Sequence, residues 1–183
     1  MTSASATLSG DRVRLRRWRE DDRAPFAAMN ADGRVMEFFP KPLDRAESDA
    51  LVDRIEAHFG RYDFGLWAVE VPGVAPFIGF TGLSTATFEA PFTPCVEVGW
   101  RLAVDHWGHG YATEAARLAL AHGFGPIGLR EIVSFMAAGN RRSRAVMERL
   151  GMARDPADDF DHPSLPECHA LRRHVLYRLR SPS

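Results

Sequence analysis

Between Val96 and Phe124 the chain passes from a strand pattern through a glycine turn straight into a helix. That junction restricts the fold more than any other stretch. Val96, Val98, Trp100, Leu102 and Val104 alternate onto one face, while Cys95, Glu97, Gly99 and Arg101 point to the other. Gly108-His109-Gly110 then turns, and the helix begins at once. Ala112, Ala115, Ala116 and Ala119 recur at helical spacing as a stripe of small residues, which lets the helix lie close against a sheet. The first amides of such a helix have no intrahelical acceptor and its dipole is positive there, so the turn makes a cradle for an anion such as a pyrophosphate. Glycines used for turn geometry alone would leave the same pattern. No Gly-Lys-Ser/Thr follows, which excludes a Walker loop, and the surrounding unit is not the repeating βαβ of a dinucleotide fold.

The remaining periodicities fill in the order of elements. Arg12 to Trp18 predicts a first strand and Glu20 to Asn30 a helix with acidic residues in its first turn. Asp44 and Glu47 have capping-box spacing ahead of Leu51, Ile55 and Phe59, which predicts a helix over Asp44 to Arg61. Strands are expected at Leu66 to Val71, Phe77 to Leu83 and Thr93 to Val104, with Pro72-Gly73 as a turn between the first two. A helix over Gly110 to Phe124, a strand over Glu131 to Ala137, a helix over Asn140 to Leu150 closed by Gly151, and a last strand over Arg172 to Arg180 follow. This order predicts an α/β (α+β) fold with a mixed, mostly antiparallel sheet flanked by helices. Residues 1–10 read as a disordered tail and 11–183 as a single domain.

A net charge of -1 gives no basic excess for a phosphate backbone, which argues against a nucleic-acid binder. No apolar run approaches the ~18 residues of a membrane span, and no signal peptide is visible, so the expected location is cytoplasmic. Cys95 and Cys168 fit no metal or redox spacing; they are either two free thiols in a reducing compartment or one bridge. His106 and His109 lack a third ligand, so no metal site is expected.

Two motifs together carry a specific resemblance. Trp107-Gly108-His109-Gly110-Tyr111-Ala112 resembles the Q/R-x-x-G-x-G/A loop of the GCN5-related N-acetyltransferase (GNAT) superfamily, with tryptophan in place of the usual Gln or Arg. Trp107 to Ala115 and Asn140-Arg141-Arg142-Ser143-Arg144-Ala145-Val146-Met147-Glu148-Arg149-Leu150-Gly151-Met152 resemble the branch that contains the ribosomal-protein N-terminal alanine acetyltransferases. The likeness spans roughly residues 11–180 and implies a GNAT fold of about seven strands and four helices, with a splayed parallel strand pair that holds acetyl-CoA.

The resemblance implies, residue by residue, that backbone groups of Leu102, Ala103 and Val104 pair with the pantetheine arm. Amides from His109, Gly110, Tyr111, Ala112 and Thr113 take the pyrophosphate, and Asn140 hydrogen-bonds the pantetheine. Arg141, Arg142 or Arg144 reaches the 3′-phosphate or is a solvated helix charge. The reaction is direct attack of an amine, from a protein N-terminus or a small molecule, on the thioester. Glu97 is the candidate base, or else a carboxylate paired for structure. Met147 stands where many members have a tyrosine acid. Ser143, one turn earlier, either donates to the departing thiolate or bonds its own backbone. Phe38, Phe39, Trp67 and the loop from Asp158 to Pro163 are candidate acceptor walls, with the acidic run either attracting a cationic amine or forming a solvated turn. The family likeness also implies a homodimer. A non-catalytic acyl-CoA-binding module and a nucleotide-phosphate binder of another fold are the competing readings.

Overall fold

Residues 7–181 are described by a computed structural model. Strands β1 (Leu8–Ser9) and β2 (Arg14–Arg16) open the chain, followed by helices α1 (Arg23–Ala31) and α2 (Arg45–Tyr62). The capping box at α2 forms: Asp44 Oδ1 accepts the Glu47 amide at 2.8 Å and Glu47 accepts the Asp44 amide at 3.0 Å. Strands β3 (Leu66–Val71), β4 (Ala75–Ala86) and β5 (Cys95–Leu102) form an antiparallel meander. Helix α3 (Tyr111–Phe124), strand β6 (Glu131–Ala137), helix α4 (Arg141–Arg149), and strands β7 (Ala153–Arg154), β8 (Phe160–Asp161) and β9 (Arg173–Arg180) complete it.

The sheet runs β1-β2-β3-β4-β5-β6-β9-β7, with β8 beside β9, and β5–β6 is its parallel pair. Nine strands stand among the described residues against the about seven that the resemblance implied; the periodicities account for six, and β1, β7 and β8 have two residues each, too few to show a period. The expected N-terminal tail lies outside the described residues up to residue 6, and Leu8–Ser9 pairs with β2. Strand β4 extends beyond Leu83 because Ser84, Thr85 and Ala86 keep their register with Glu97, Val96 and Cys95. Among the described residues, no helix is long and apolar enough to cross a membrane.

Two apolar layers cover the sheet. On one face Ala115, Ala116 and Ala119 of α3 are fully buried against Ile78, Leu83, Val98 and Ile132. The small stripe brings the α3 backbone onto the strands and fixes its N-terminus at the end of β5. On the other face Phe26 and Met29 of α1 pack with Val52, Ala68, Phe77 and Phe80. At Gly79 (φ 138°) an added Cβ would stand 2.1 Å from the Arg101 carbonyl oxygen, so only glycine lets β4 approach β5 this closely. Trp67, expected as an acceptor wall, is instead 1% exposed and packs edge-on against Phe59 and His122.

Candidate active site

Strands β5 and β6 are bridged at Glu97–Val133 and then separate. Each stays with its outer neighbour, β5 with β4 as far as Leu102 and β6 with β9 as far as Ala137. The Ser134 hydroxyl donates to the Val98 carbonyl at 2.8 Å, in place of a ladder bond. Backbone parity on β5 follows from four contacts. Gly99 O accepts Thr81 Oγ1 and the Ala103 amide donates to Ile78 O, both at 2.9 Å, so odd-numbered groups face β4. Val98 O accepts Ser134, and Leu102 O accepts Trp107 Nε1 at 2.8 Å, so even-numbered groups face the gap. Trp100 and the Leu102 amide therefore point into the gap, where no strand pairs with them. Of the expected pantetheine contacts, Ala103 has its N–H on Ile78 and its C=O on the His106 amide, and the Val104 C=O accepts the Trp107 amide. Trp100, which sequence reasoning missed, carries the open backbone groups.

The glycine turn closes the end of this gap. Gly108 (φ 79°) and Gly110 (φ 82°) are left-handed, and Gly110 is the residue from which α3 starts. Glu114 is the first α3 residue whose amide finds a helix carbonyl, that of Gly110 at 3.1 Å. The amides of Tyr111, Ala112 and Thr113 precede it with no intrahelical acceptor. The turn is clamped by the two residues that precede β2. Glu114 accepts the amides of Arg12 (2.7 Å) and Val13 (3.2 Å) and the Arg12 Nε (2.8 Å), while Arg12 Nη1 donates to His109 O at 2.9 Å. Sequence reasoning assigned Glu114 no task, because its partners lie about a hundred residues away.

These elements line one open cleft of about 1040 Å³. That is at the top of the ~300–1,000 Å³ usual for one small ligand and suits two substrates meeting. Glu97, Leu102, Gly110, Tyr111, Ala112, Thr113, Asn140 and Ser143 line it; Ala103, Val104 and His109 do not. Asn140 caps α4, its Oδ1 accepting the Ser143 amide at 3.1 Å. Met147 is fully buried in the core, so it faces away from any thioester. Arg142 pairs with Glu37 and lies 4.6 Å over the Trp107 ring, whereas Arg141 has no side-chain partner among the described residues.

Glu97 faces the cleft and, among the described residues, makes no hydrogen bond or ion pair. Burial alone pushes its carboxyl up to about 8. Beside it Gly99 leaves open space where a Cβ would stand, so the β5 floor here is bare backbone. Phe38, Phe39, Phe80 and Arg101 bound one side, and Phe135, His162 and His174 the other. His162 and His174 lie 5.0 Å apart, ring to ring, and burial holds both imidazoles below their usual range. Phe88, Phe92 and Phe160 back this wall through ring contacts with Phe135 at 5.5, 6.0 and 5.7 Å. The acidic run is neutralised: Asp158 pairs with Arg178, Asp159 with Arg154, and Asp161 with Arg172 and Arg173. It braces β9, and His162 is the residue of the run that reaches the cleft.

The family model described as "Acetyltransferase (GNAT) domain" matches residues 12–153. The Bacillus subtilis protein YkkB is 30% identical over 151 residues, covering 82% of this chain and 87% of that protein. An acetyltransferase structure from Agrobacterium tumefaciens superposes with a TM-score of 0.77 at 26% identity, covering 96% of this chain and 95% of that one. Mycobacterium smegmatis RimJ, solved in complex with CoA-disulfide, superposes with a TM-score of 0.76 at 19% identity, covering 98% and 90%; at that identity the likeness concerns the fold.

Proposed function

The chain belongs to the GNAT acetyltransferase family, and from that premise we propose that it transfers an acetyl group from acetyl-CoA to a primary amine by direct attack. The observation that carries the reading is a half-buried carboxyl at Glu97, unpaired among the described residues, beside the point where β5 and β6 part. The pantetheine arm lies in the gap along the backbone groups of Trp100 and Leu102, an added strand between β5 and β6. The pyrophosphate takes the amides from Gly110 to Thr113. Asn140 keeps its Nδ2 for the pantetheine, and Arg141, whose side chain has no partner among the described residues, meets the 3′-phosphate. Acetyl-CoA supplies an activated carbonyl and a good leaving group. Glu97 takes the amine's proton, directly or through one water, and Ser143 donates a hydrogen bond to the sulfur. The buried site of Met147 leaves no side chain at that position to serve as acid. Two free cysteines suit a reducing compartment, so the cytoplasm is where we place the reaction.

The test is thiol release from acetyl-CoA over a panel of peptides and small amines. Amine-dependent release is expected from the wild-type protein. Glu97→Gln should lose most turnover, on the order of 100-fold, while CoA still stabilises it thermally. Unchanged turnover would remove Glu97 as the base. CoA-dependent stabilisation with no transfer to any acceptor would leave a binding module on this fold.

A further inference from the structure

Arg101 lies on the same face of β5 as Glu97, four residues further along, or roughly 13 Å of strand. Its Nη1 donates to Asn30 Oδ1 at 2.8 Å, and the fully buried Asn30 is held in turn by its Nδ2 on Ser48 Oγ at 2.9 Å. The guanidinium lies 4.1 Å over the Phe39 ring and 5.3 Å from Phe80. Among the described residues no carboxylate pairs with it. Its Nε is buried with no acceptor, and among the described residues Nη1 is the guanidinium nitrogen that makes a hydrogen bond. The side chain lines the cleft.

A more deeply buried arginine provides the contrast. Arg16, 4% exposed, donates to both oxygens of Asp22 at 2.7 and 2.8 Å and to Glu70 at 2.9 Å. Where the fold needs a buried guanidinium, this chain supplies its carboxylates. At Arg101 it supplies a neutral amide to Nη1 and, among the described residues, leaves the Nε–Nη2 edge without an acceptor. That edge is the one that receives the two oxygens of a carboxylate in parallel. Burial without a counter-charge lowers the Arg101 guanidinium to about 10.

Resting on the acetyl-transfer reading, we propose that Arg101 binds a carboxylate of the acceptor, so that the substrate is an amine carrying an acid group several bonds from the reacting nitrogen. The amine then lies toward Glu97 and the acid toward Arg101, with bare Gly99 between them. Asn30 and Phe39 hold the guanidinium in place before the acceptor arrives, which limits the ordering cost of binding. A zwitterionic amino acid or a peptide with an acidic residue near its N-terminus both carry this chemistry.

The experiment compares matched pairs: 4-aminobutyrate with its carboxamide, and Ala-Asp-Ala-amide with Ala-Asn-Ala-amide. For each, kcat/KM and the added thermal stabilisation of CoA-bound protein are measured in wild type, Arg101→Gln and Arg101→Lys. The acid member of at least one pair is expected to be favoured by about 10- to 100-fold in wild type. The pair that discriminates identifies the source as small molecule or peptide. Arg101→Gln should abolish the preference, and Arg101→Lys, which keeps the charge without the fork, should retain a smaller one. Equal kcat/KM and equal stabilisation within both pairs would overturn the proposal on wild-type protein alone, whether or not the variants fold. If no amine is acetylated, the transfer reading fails. The stabilisation arm still decides the Arg101 site: acid-selective stabilisation lost in Arg101→Gln supports it, and none refutes it.

Discussion

A carboxyl group shifted by burial alone is sensitive to everything that enters its cleft, and Glu97 is such a group. As a base it must be ionised, so kcat/KM should climb with pH, about tenfold per unit below the bend, and level off above about 8. A profile flat from pH 6 to 9 would rule Glu97 out. The same shift has a stability consequence of opposite sense. The folded state holds the Glu97 proton over a pH range in which the unfolded chain has already released it, so wild-type stability falls as pH rises from about 4.5 through about 8. Glu97→Gln should therefore match wild type near pH 4 and exceed it at pH 9. The excess is on the order of 2 kcal/mol, below the full linkage value because the carboxyl keeps some contact with solvent. Urea unfolding at the two pH values measures it. Alternation along β5 was enough to place Glu97, Gly99 and Arg101 on one face. It was not enough to show that Arg101 lacks a carboxylate, because that depends on which residues α1 and the Phe38-Phe39 loop present. The inward turn of Met147 was equally hidden, since a helix period does not say which of two neighbouring faces meets the core.

At the scale of elements, the phosphate turn is shaped by residues on two distant segments. Gly110→Ala would place a Cβ on a left-handed residue (φ 82°) and 3.3 Å from Arg12 Nη2, disturbing the clamp from both ends. A loss of about 1 kcal/mol in stability is expected, together with weaker CoA binding in a titration. Glu114→Ala should do more damage. It takes the acceptor from the exposed Arg12 amide and the part-buried Val13 amide, at roughly 0.5–1.5 kcal/mol for each bond, and frees the arginine that holds His109 O. A Glu114→Ala protein as stable as wild type would show that the clamp is not needed. Local pattern predicted these elements well where the periodicity was long. Strands β3 and β6 begin and end where the alternation does, and α2 starts at its capping box. The two-residue strands were invisible for want of a period. The parity of β5 in the gap was hidden as well, because it depends on which neighbour, β4 or β6, claims each carbonyl.

For the molecule as a whole, the sheet is two antiparallel sets, β1 to β5 and β6 to β9, joined at one backbone bridge and held together by α3. A ligand that completes the sheet between them should tie the sets together as well as add its own contacts. Binding to the folded state alone stabilises by about 2.7 kcal/mol at a concentration a hundred times Kd, which a thermal shift will register. The pattern of protection carries more information than its size. If the pantetheine arm pairs with β5, hydrogen exchange should slow at the amides of Trp100 and Leu102. If the pyrophosphate rests on α3, it should slow at Tyr111, Ala112 and Thr113 as well. The Ala103 amide, already donating to Ile78, should change little, and so should the centre of β3 and β4. Protection confined to the glycine turn would keep the phosphate cradle and refute the gap as the path of the arm. Protection at Ala103 in place of Trp100 and Leu102 would mean that β5 changes partners on binding, and the parity drawn from its present hydrogen bonds would not describe the complex.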